Sequence, residues 1–185
     1  GIGTNTLYGG SAIANTDVAL SRAAASTWKT DAGGGGAASY LQITAGESRV
    51  TTQFAATTNT TLANITGLTS TLIAGRKYRF RGTFFVDADA TGGIKFAVAG
   101  TATATSIVYQ INAIRNDTSV FAITSRQTAL GGSAATAAAT AYFVEIVGTI
   151  VCNAAGTLVP QFAQSASNGT SSVLVNSTWN VTDIQ

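Results

Sequence analysis

The chain has 185 residues and a formal net charge of +2, and only 10% of its residues are charged, whereas about 25% is usual in a soluble domain. Hydrophobic residues make up 45%, so the chain can bury a core, and its near-neutral charge argues against disorder and against a nucleic-acid partner. It has no histidine and one cysteine, which excludes histidine-assisted nucleophiles, an intrachain disulfide and a cysteine-based metal site.

The N-terminal residues 1–39 show weak hydrophobic periodicity and contain the four consecutive glycines Gly33–Gly36. Because a glycine run forms a flexible joint, we place a boundary here, between an N-terminal arm with its hinge (1–39) and a second domain (40–185). Within the arm, Val18–Leu20 fits a short strand or turn, and Ala19–Thr27 fits one helical turn.

The start of the chain and its longest apolar stretch carry two further expectations. The chain starts at Gly1 without a methionine, and we expect this to be the cut edge of a longer or processed chain. The longest apolar stretch, Ala134–Cys152, is interrupted by Thr, Gly and Glu, so we expect no membrane insertion.

Strand signals follow the glycine run. Tyr40–Ile43 is a short candidate, and Arg49–Ala55 alternates with Val50, Thr52 and Phe54 on one face. The Thr-rich stretch 65–73 predicts a loop with one short strand.

The clearest strand signal is Lys77–Asp87. Alternation of period two predicts a half-buried strand with an apolar inner face and a basic outer face. The inner positions are Tyr78, Phe80, Gly82, Phe84 and Val86, and the outer ones include Lys77, Arg79, Arg81 and Thr83.

Next come a turn over 87–93, rich in Asp and Gly, and Ile94–Ala99, which we expect to be its hairpin partner. Thr105–Ile114 predicts a strand with Ile107, Tyr109, Ile111 and Ala113 on one face. Val120–Thr124 predicts a short strand, and 131–140 reads as a loop of small residues.

The second strong signal is Ala141–Cys152. Both of its faces are mostly apolar, which predicts a strand that is central or covered on both sides, with Cys152 as a buried small hydrophobe. Thr157–Gln164 follows. Its Pro160, the only proline, indicates a sheet edge or a bulge because proline cannot donate to a ladder. Residues 172–175 and 178–184 close the chain.

Roughly eight to ten short strands with turn signals between them, and no convincing amphipathic helix, predict an all-β domain. The fold class that we expect is an antiparallel β-sandwich of the jelly-roll type with an extended N-terminal arm.

The sequence offers no catalytic constellation, and we predict no catalytic residue, no cofactor and no enzymatic activity. Glu145 lies in the middle of a strong strand, where a buried carboxylate needs a partner. We expect Arg79 or Arg81 to supply it. These three residues are the candidate ion-pair or interface residues. Because period two places the basic and aromatic residues of 76–81 on opposite faces, they cannot cooperate on one nucleic-acid ligand.

Two weaker motifs leave alternatives open. Asp87 and Asp89 in a Gly-ended turn resemble a calcium loop, but two acids without a third predict a solvated turn and no metal site. Trp179 and Tyr40 either form a sugar-binding face or pack in the core.

Several motifs resemble one family. They are an Asn15–Ala25 arm (NTDVALSRAAA) and four elements: LIAGRKYRF (Leu72–Phe80), the aliphatic-aromatic strand GTFFV (Gly82–Val86), GGIKFA (Gly92–Ala97) and GTATATS (Gly100–Ser106). Over residues 15–184 this pattern resembles the jelly-roll knob domain of tailed-bacteriophage virion proteins.

The resemblance implies a homotrimer on the surface of a phage particle, as a head fibre or decoration protein or as a tail-fibre tip. The arm would anchor to other virion proteins, and the knob would contact the host surface, including a host glycan. Independently, low charge and many small residues suit packed subunit contacts. The alternatives are a carbohydrate-binding module of a secreted bacterial protein and a fragment of a phage depolymerase.

Overall fold

The computed structural model describes residues 18–24, 27–32, 47–137 and 139–184. The chain divides into two compact units, Gly1–Ile43 and Thr44–Gln185. The predicted glycine joint and the predicted strand Tyr40–Ile43 lie outside the described residues.

Two strands are described in the first unit. β1 (Val18–Ala24) pairs antiparallel with β2 (Thr27–Ala32). Of the readings that the sequence left open for this stretch, the strand is therefore the one observed.

The second unit is all-β where it is described, with thirteen strands in two antiparallel sheets. The larger sheet has eight strands: β3 (Ser48–Arg49), β4 (Phe54–Thr57), β7 (Lys77–Asp87), β9 (Thr103–Arg115), β10 (Phe121–Gln127), β12 (Ala141–Ala154), β14 (Thr170–Val173) and β15 (Thr178–Asp183). The smaller sheet has five: β5 (Ala63–Asn64), β6 (Ser70–Leu72), β8 (Ile94–Ala99), β11 (Ser133–Thr136) and β13 (Gly156–Ala163).

The strand order is that of a jelly roll, as predicted. One sheet runs β10-β9-β12-β7 and the other β11-β8-β13, with β5 and β6 together along the free edge of β13. From β7 to β13, successive strands lie in opposite sheets except for the β9–β10 hairpin, which gives two interleaved Greek keys. β14 and β15 extend the larger sheet beyond β7. On their other edges, β14 pairs with β4 and β15 pairs with β3.

Between the two sheets lies one hydrophobic core. It joins them through aromatic contacts, with ring centroids 5.2 Å apart for Phe84 and Phe96 and 6.4 Å apart for Phe54 and Phe162. Burial follows the predicted alternation in β7, where Tyr78, Phe80, Gly82, Phe84 and Val86 are all buried. The predicted inner face of β9 is also buried.

Two glycines on the inner faces make room for the aromatic rings. A Cβ on Gly82 would lie 2.5 Å from the Phe84 ring and 3.0 Å from Trp179, and one on Gly148 would lie 2.6 Å from the Phe80 ring. Because no Cβ fits at these distances, the glycines are required by the packing of the large side chains above them.

The structure corrects the prediction that Ile94–Ala99 is the hairpin partner of β7. This segment is β8, which lies in the other sheet and pairs with β11 and β13. β7 has no free edge to offer, because β12 occupies one side and β14 and β15 occupy the other.

Two further predictions are wrong in part. The segment Arg49–Ala55 is not one strand, since β3 and β4 are separated by residues 50–53, where Val50 N donates to Ser177 O and Val50 O accepts from Asn176 N. The predicted loop 131–140 contains β11, whose four residues are too few to show a period.

β12 is central in its sheet, between β7 and β9. Its second face, however, is only partly covered by the chain, since Val147 is 39% exposed.

Pro160 lies in the interior strand β13, so the predicted sheet edge is wrong. It lies where the partner of β13 changes from β6 to β5, and this irregularity accommodates the missing donor.

We predict that Phe80→Ala lowers the free energy of unfolding by about 3–5 kcal/mol, because Phe80 is fully buried and its ring packs 5.4 Å from Trp179 and 6.0 Å from Tyr109. Urea denaturation would measure the loss. Ile73→Ala, at a side chain 55% exposed, is the control and should change stability by less than about 0.5 kcal/mol. A loss below about 1 kcal/mol for Phe80→Ala would contradict the core assignment.

Deletion of residues 1–36 is expected to leave the second unit folded, because its core cluster runs from Val50 to Val181 and remains complete. Thermal unfolding of the truncated and full chains should give similar midpoints for the β-sandwich. An unfolded truncated chain would show that the N-terminal residues belong to the folding unit.

Candidate functional site

Charged, polar and aromatic side chains gather on the outward side of β10, β9, β12, β7 and β15. We call this side the outer face. Its position follows from the core. Because side chains alternate along a strand, the burial of Tyr78, Phe80 and Phe84 forces Lys77, Arg79 and Arg81 outward, and all three are exposed.

On the outer face, Glu145 pairs with Arg81. The distance from Arg81 Nη2 to Glu145 Oε1 is 2.6 Å. The strand register explains why Arg81 is the partner of Glu145. Glu145 lies opposite Thr83, and Arg81 lies opposite Val147, which is the next outward residue of β12. Arg79 lies one outward position farther away, and within the described residues it makes no ion pair.

The structure corrects the expectation that Glu145 is buried. Its side chain is 29% exposed and that of Arg81 is 66% exposed, so water screens the pair. We therefore assign it a role in ordering this surface and only a small contribution to stability.

A shallow, open depression surrounds this pair. It is lined by Glu47, Arg79, Arg81, Glu145, Val147 and Asn180, together with part of Phe80. Two carboxylates face two guanidinium groups here, so the charges largely compensate. Such a surface can bind a partner by hydrogen bonds.

Next to the depression is a polar row that the sequence reasoning did not identify. Gln110 Nε2 donates to Asn112 Oδ1 at 3.2 Å and to Thr124 Oγ1 at 3.1 Å. These bonds hold the amides in fixed positions across β9 and β10. Period two already places Gln110 and Asn112 on one face of the predicted strand. Only the register between β9 and β10, which the sequence does not show, adds Thr124.

At one end of the outer face lies a second feature that the sequence did not single out. Phe121, Ile114, Phe143 and Phe85 lie opposite one another across β10, β9, β12 and β7, and we call them the aromatic row. The rings of Phe85 and Phe143 are 5.9 Å apart at 62°, and Phe85 and Phe121 are 45% and 58% exposed. The signal in the sequence was Phe85 itself, an aromatic residue at an outward position of β7.

The turn between β7 and β8 is held by hydrogen bonds. Asp89 Oδ1 accepts from Thr91 N at 2.9 Å and from Gly92 N at 2.6 Å, and Asp89 N donates to the buried hydroxyl of Ser171. Asp87 is exposed at the end of β7. No cluster of three or more metal-ligating side chains occurs among the described residues. Asp89 is thus a turn-capping residue.

Of three other residues named from the sequence, two lie in the part of the chain that the structure describes. Trp179 is 1% exposed and packs in the core, and Tyr40 lies outside the described residues, so the sugar-binding pair is not assembled in the part that the structure describes. Cys152 is buried, as predicted, and desolvation raises the pKa of its thiol.

No helix in the described segments could cross a membrane. Comparison of the chain with models of known protein families gives no match, and comparison with curated proteins gives no relative.

We predict that Glu145→Gln lowers the free energy of unfolding by no more than about 1 kcal/mol, because the ion pair with Arg81 is exposed to water. A double-mutant cycle with Arg81→Met, followed by urea denaturation, would isolate the pair. A coupling energy of about 3 kcal/mol or more would show instead that the pair is desolvated in solution.

Proposed function

We propose that this chain is a non-enzymatic structural protein of a bacteriophage virion, a head fibre or decoration protein or a tail-fibre component. Its jelly-roll unit would be a knob on the particle surface, assembled as a homotrimer. Its N-terminal residues 1–39 would attach it to other virion proteins, and the knob would also contact the host surface.

The observation that carries this proposal is the outer face. It combines an exposed aromatic row with an open, charge-compensated depression, and both suit contact with another large surface. Exposed apolar patches on a domain mark such contacts.

Two further observations support the proposal. The jelly-roll strand order occurs in viral capsid domains, although a fold alone does not define a function. The division of the chain at Ile43 and Thr44 into two compact units suits an attachment segment followed by a displayed domain.

A carbohydrate-binding module is the second candidate, and one observation favours it. Arg79 and Asn180 line the depression, and the Gln110–Asn112–Thr124 row lies on the same face. Amides, hydroxyls and a guanidinium are groups that hydrogen-bond sugars, and jelly rolls also serve as lectins. In the virion proposal, the same depression would meet a host-surface glycan.

Purified particles of the phage or prophage that encodes the chain are expected to contain it, in a copy number divisible by three, because a homotrimer adds copies in threes. Quantitative mass spectrometry of the particles would measure this. The control is the culture medium after the particles are removed, which should be depleted of the chain. A chain absent from particles but free in the medium, with clear hits on a glycan array, would favour the carbohydrate-binding module.

A further inference from the structure

The loop between β13 and β14, residues 164–169, contains the only asparagine of the chain that is followed by glycine, Asn168 before Gly169. Both residues are exposed. Within the described residues, neither the side chain of Asn168 nor the backbone nitrogen of Gly169 makes a hydrogen bond. An amide and a neighbouring backbone nitrogen are therefore both available for reaction with each other.

Two other exposed asparagines differ from Asn168 in both respects. Asn59 Oδ1 accepts from Thr61 N at 2.8 Å, and Asn176 Oδ1 accepts from Arg49 Nη1 at 3.5 Å. Each of them is followed by a residue that has a Cβ. A Cβ hinders approach to the nitrogen of its own residue, whereas glycine leaves that nitrogen open.

We propose that Asn168 is a site of spontaneous covalent modification, in which water converts its side-chain amide into a carboxylate. This inference is independent of the proposed function. It assigns to the loop a chemistry that needs no enzyme and no cofactor, only the solvent that reaches Asn168.

The reaction has two steps. The deprotonated nitrogen of Gly169 attacks Cγ of Asn168, so that a bond from Gly169 N to Cγ forms and the bond from Cγ to Nδ2 breaks. Nδ2 leaves as ammonia and takes up the proton that Gly169 N gave away. Water then opens the cyclic imide at either of its two carbonyl carbons, which leaves aspartate or isoaspartate. No group is oxidised or reduced.

The fold holds the loop on both sides of the reacting groups. Gln164 Nε2 donates to Asn168 O, and Thr58 N donates to Gly169 O at 3.0 Å. These bonds restrain the backbone but occupy neither reacting group. We therefore expect the folded chain to react more slowly than the unfolded chain, and Asn168 to react faster than the other exposed asparagines.

The new carboxylate would form beside a turn at one end of the sandwich. A Cβ on Gly169 would overlap with Asp89 Oδ2, so the carboxylate of Asp89 lies against the reacting peptide. Asp89 caps the turn between β7 and β8 by accepting from Thr91 N and Gly92 N. A second carboxylate nearby repels the first, and isoaspartate also lengthens the backbone. The modification should therefore loosen this turn.

The test follows the full chain during incubation at mildly basic pH, where more of the attacking nitrogen is deprotonated. Chymotrypsin cuts after Phe162 and Leu174 and releases residues 163–174, in which Asn168 is the only asparagine. Mass spectrometry with fragmentation of this peptide should show the exchange of amide for acid at least about tenfold faster than at the other exposed asparagines, because only Asn168 precedes a glycine. Asn168→Gln is the control, and it should keep its amide because its longer side chain must close a larger ring.

Two results would overturn the proposal. One is a folded chain in which Asn168 keeps its amide while the same chain in urea loses it. The other is a reaction at Asn168 no faster than at Asn59 and Asn176. The effect on the turn has its own measurement: Asn168→Asp reproduces one product and should unfold at a lower temperature than Asn168→Gln. Equal midpoints for the two variants would overturn the loosening of the Asp89 turn.

Discussion

The alternation of β7 is the constraint on which the rest of the second unit depends. Phe80 and Phe84 bind the strand to the core, where they meet Trp179 and Phe96. Glycines at 82 and 148 leave the space that these rings occupy. Once the inner positions are fixed, a shift of one residue would bury three cations and expose the aromatic residues. The register of β7 therefore sets both the core and the outer face.

β7 itself presents a face to solvent and no free strand edge. Its two long edges are paired, with β12 on one side and with β15 and β14 on the other. The break between β14 and β15 is closed by Ser177, whose Oγ accepts from Phe85 N at 3.1 Å, while Leu174 N donates to Phe85 O. Even at the break, the backbone of Phe85 is satisfied. The ring of Phe85 is therefore the part that a partner could contact, and a partner strand could not pair with its backbone.

The long strands could be predicted because ten or more residues show a clear period, as in β7, β9 and β12. The strands β3, β5, β6 and β11 have two to four residues each, which is too few to show one. The pairing of β8 was predicted wrongly because neighbours in sequence favour a hairpin, whereas the jelly roll sends β8 to the other sheet. The Arg81–Glu145 pair could be predicted from the alternation of side chains along the strands. The aromatic row was not, because the register shift between Phe121 and Ile123 decides which face Phe121 joins.

The long-range pairing of β7 has a consequence for synthesis on the ribosome. Phe80 is made 99 residues before Trp179, its core partner in β15. At about 5–20 residues per second, this interval lasts roughly 5–20 s. During that time Phe80 lacks its contact with Trp179. The sandwich is therefore completed only after the last described strand, β15, has left the ribosome.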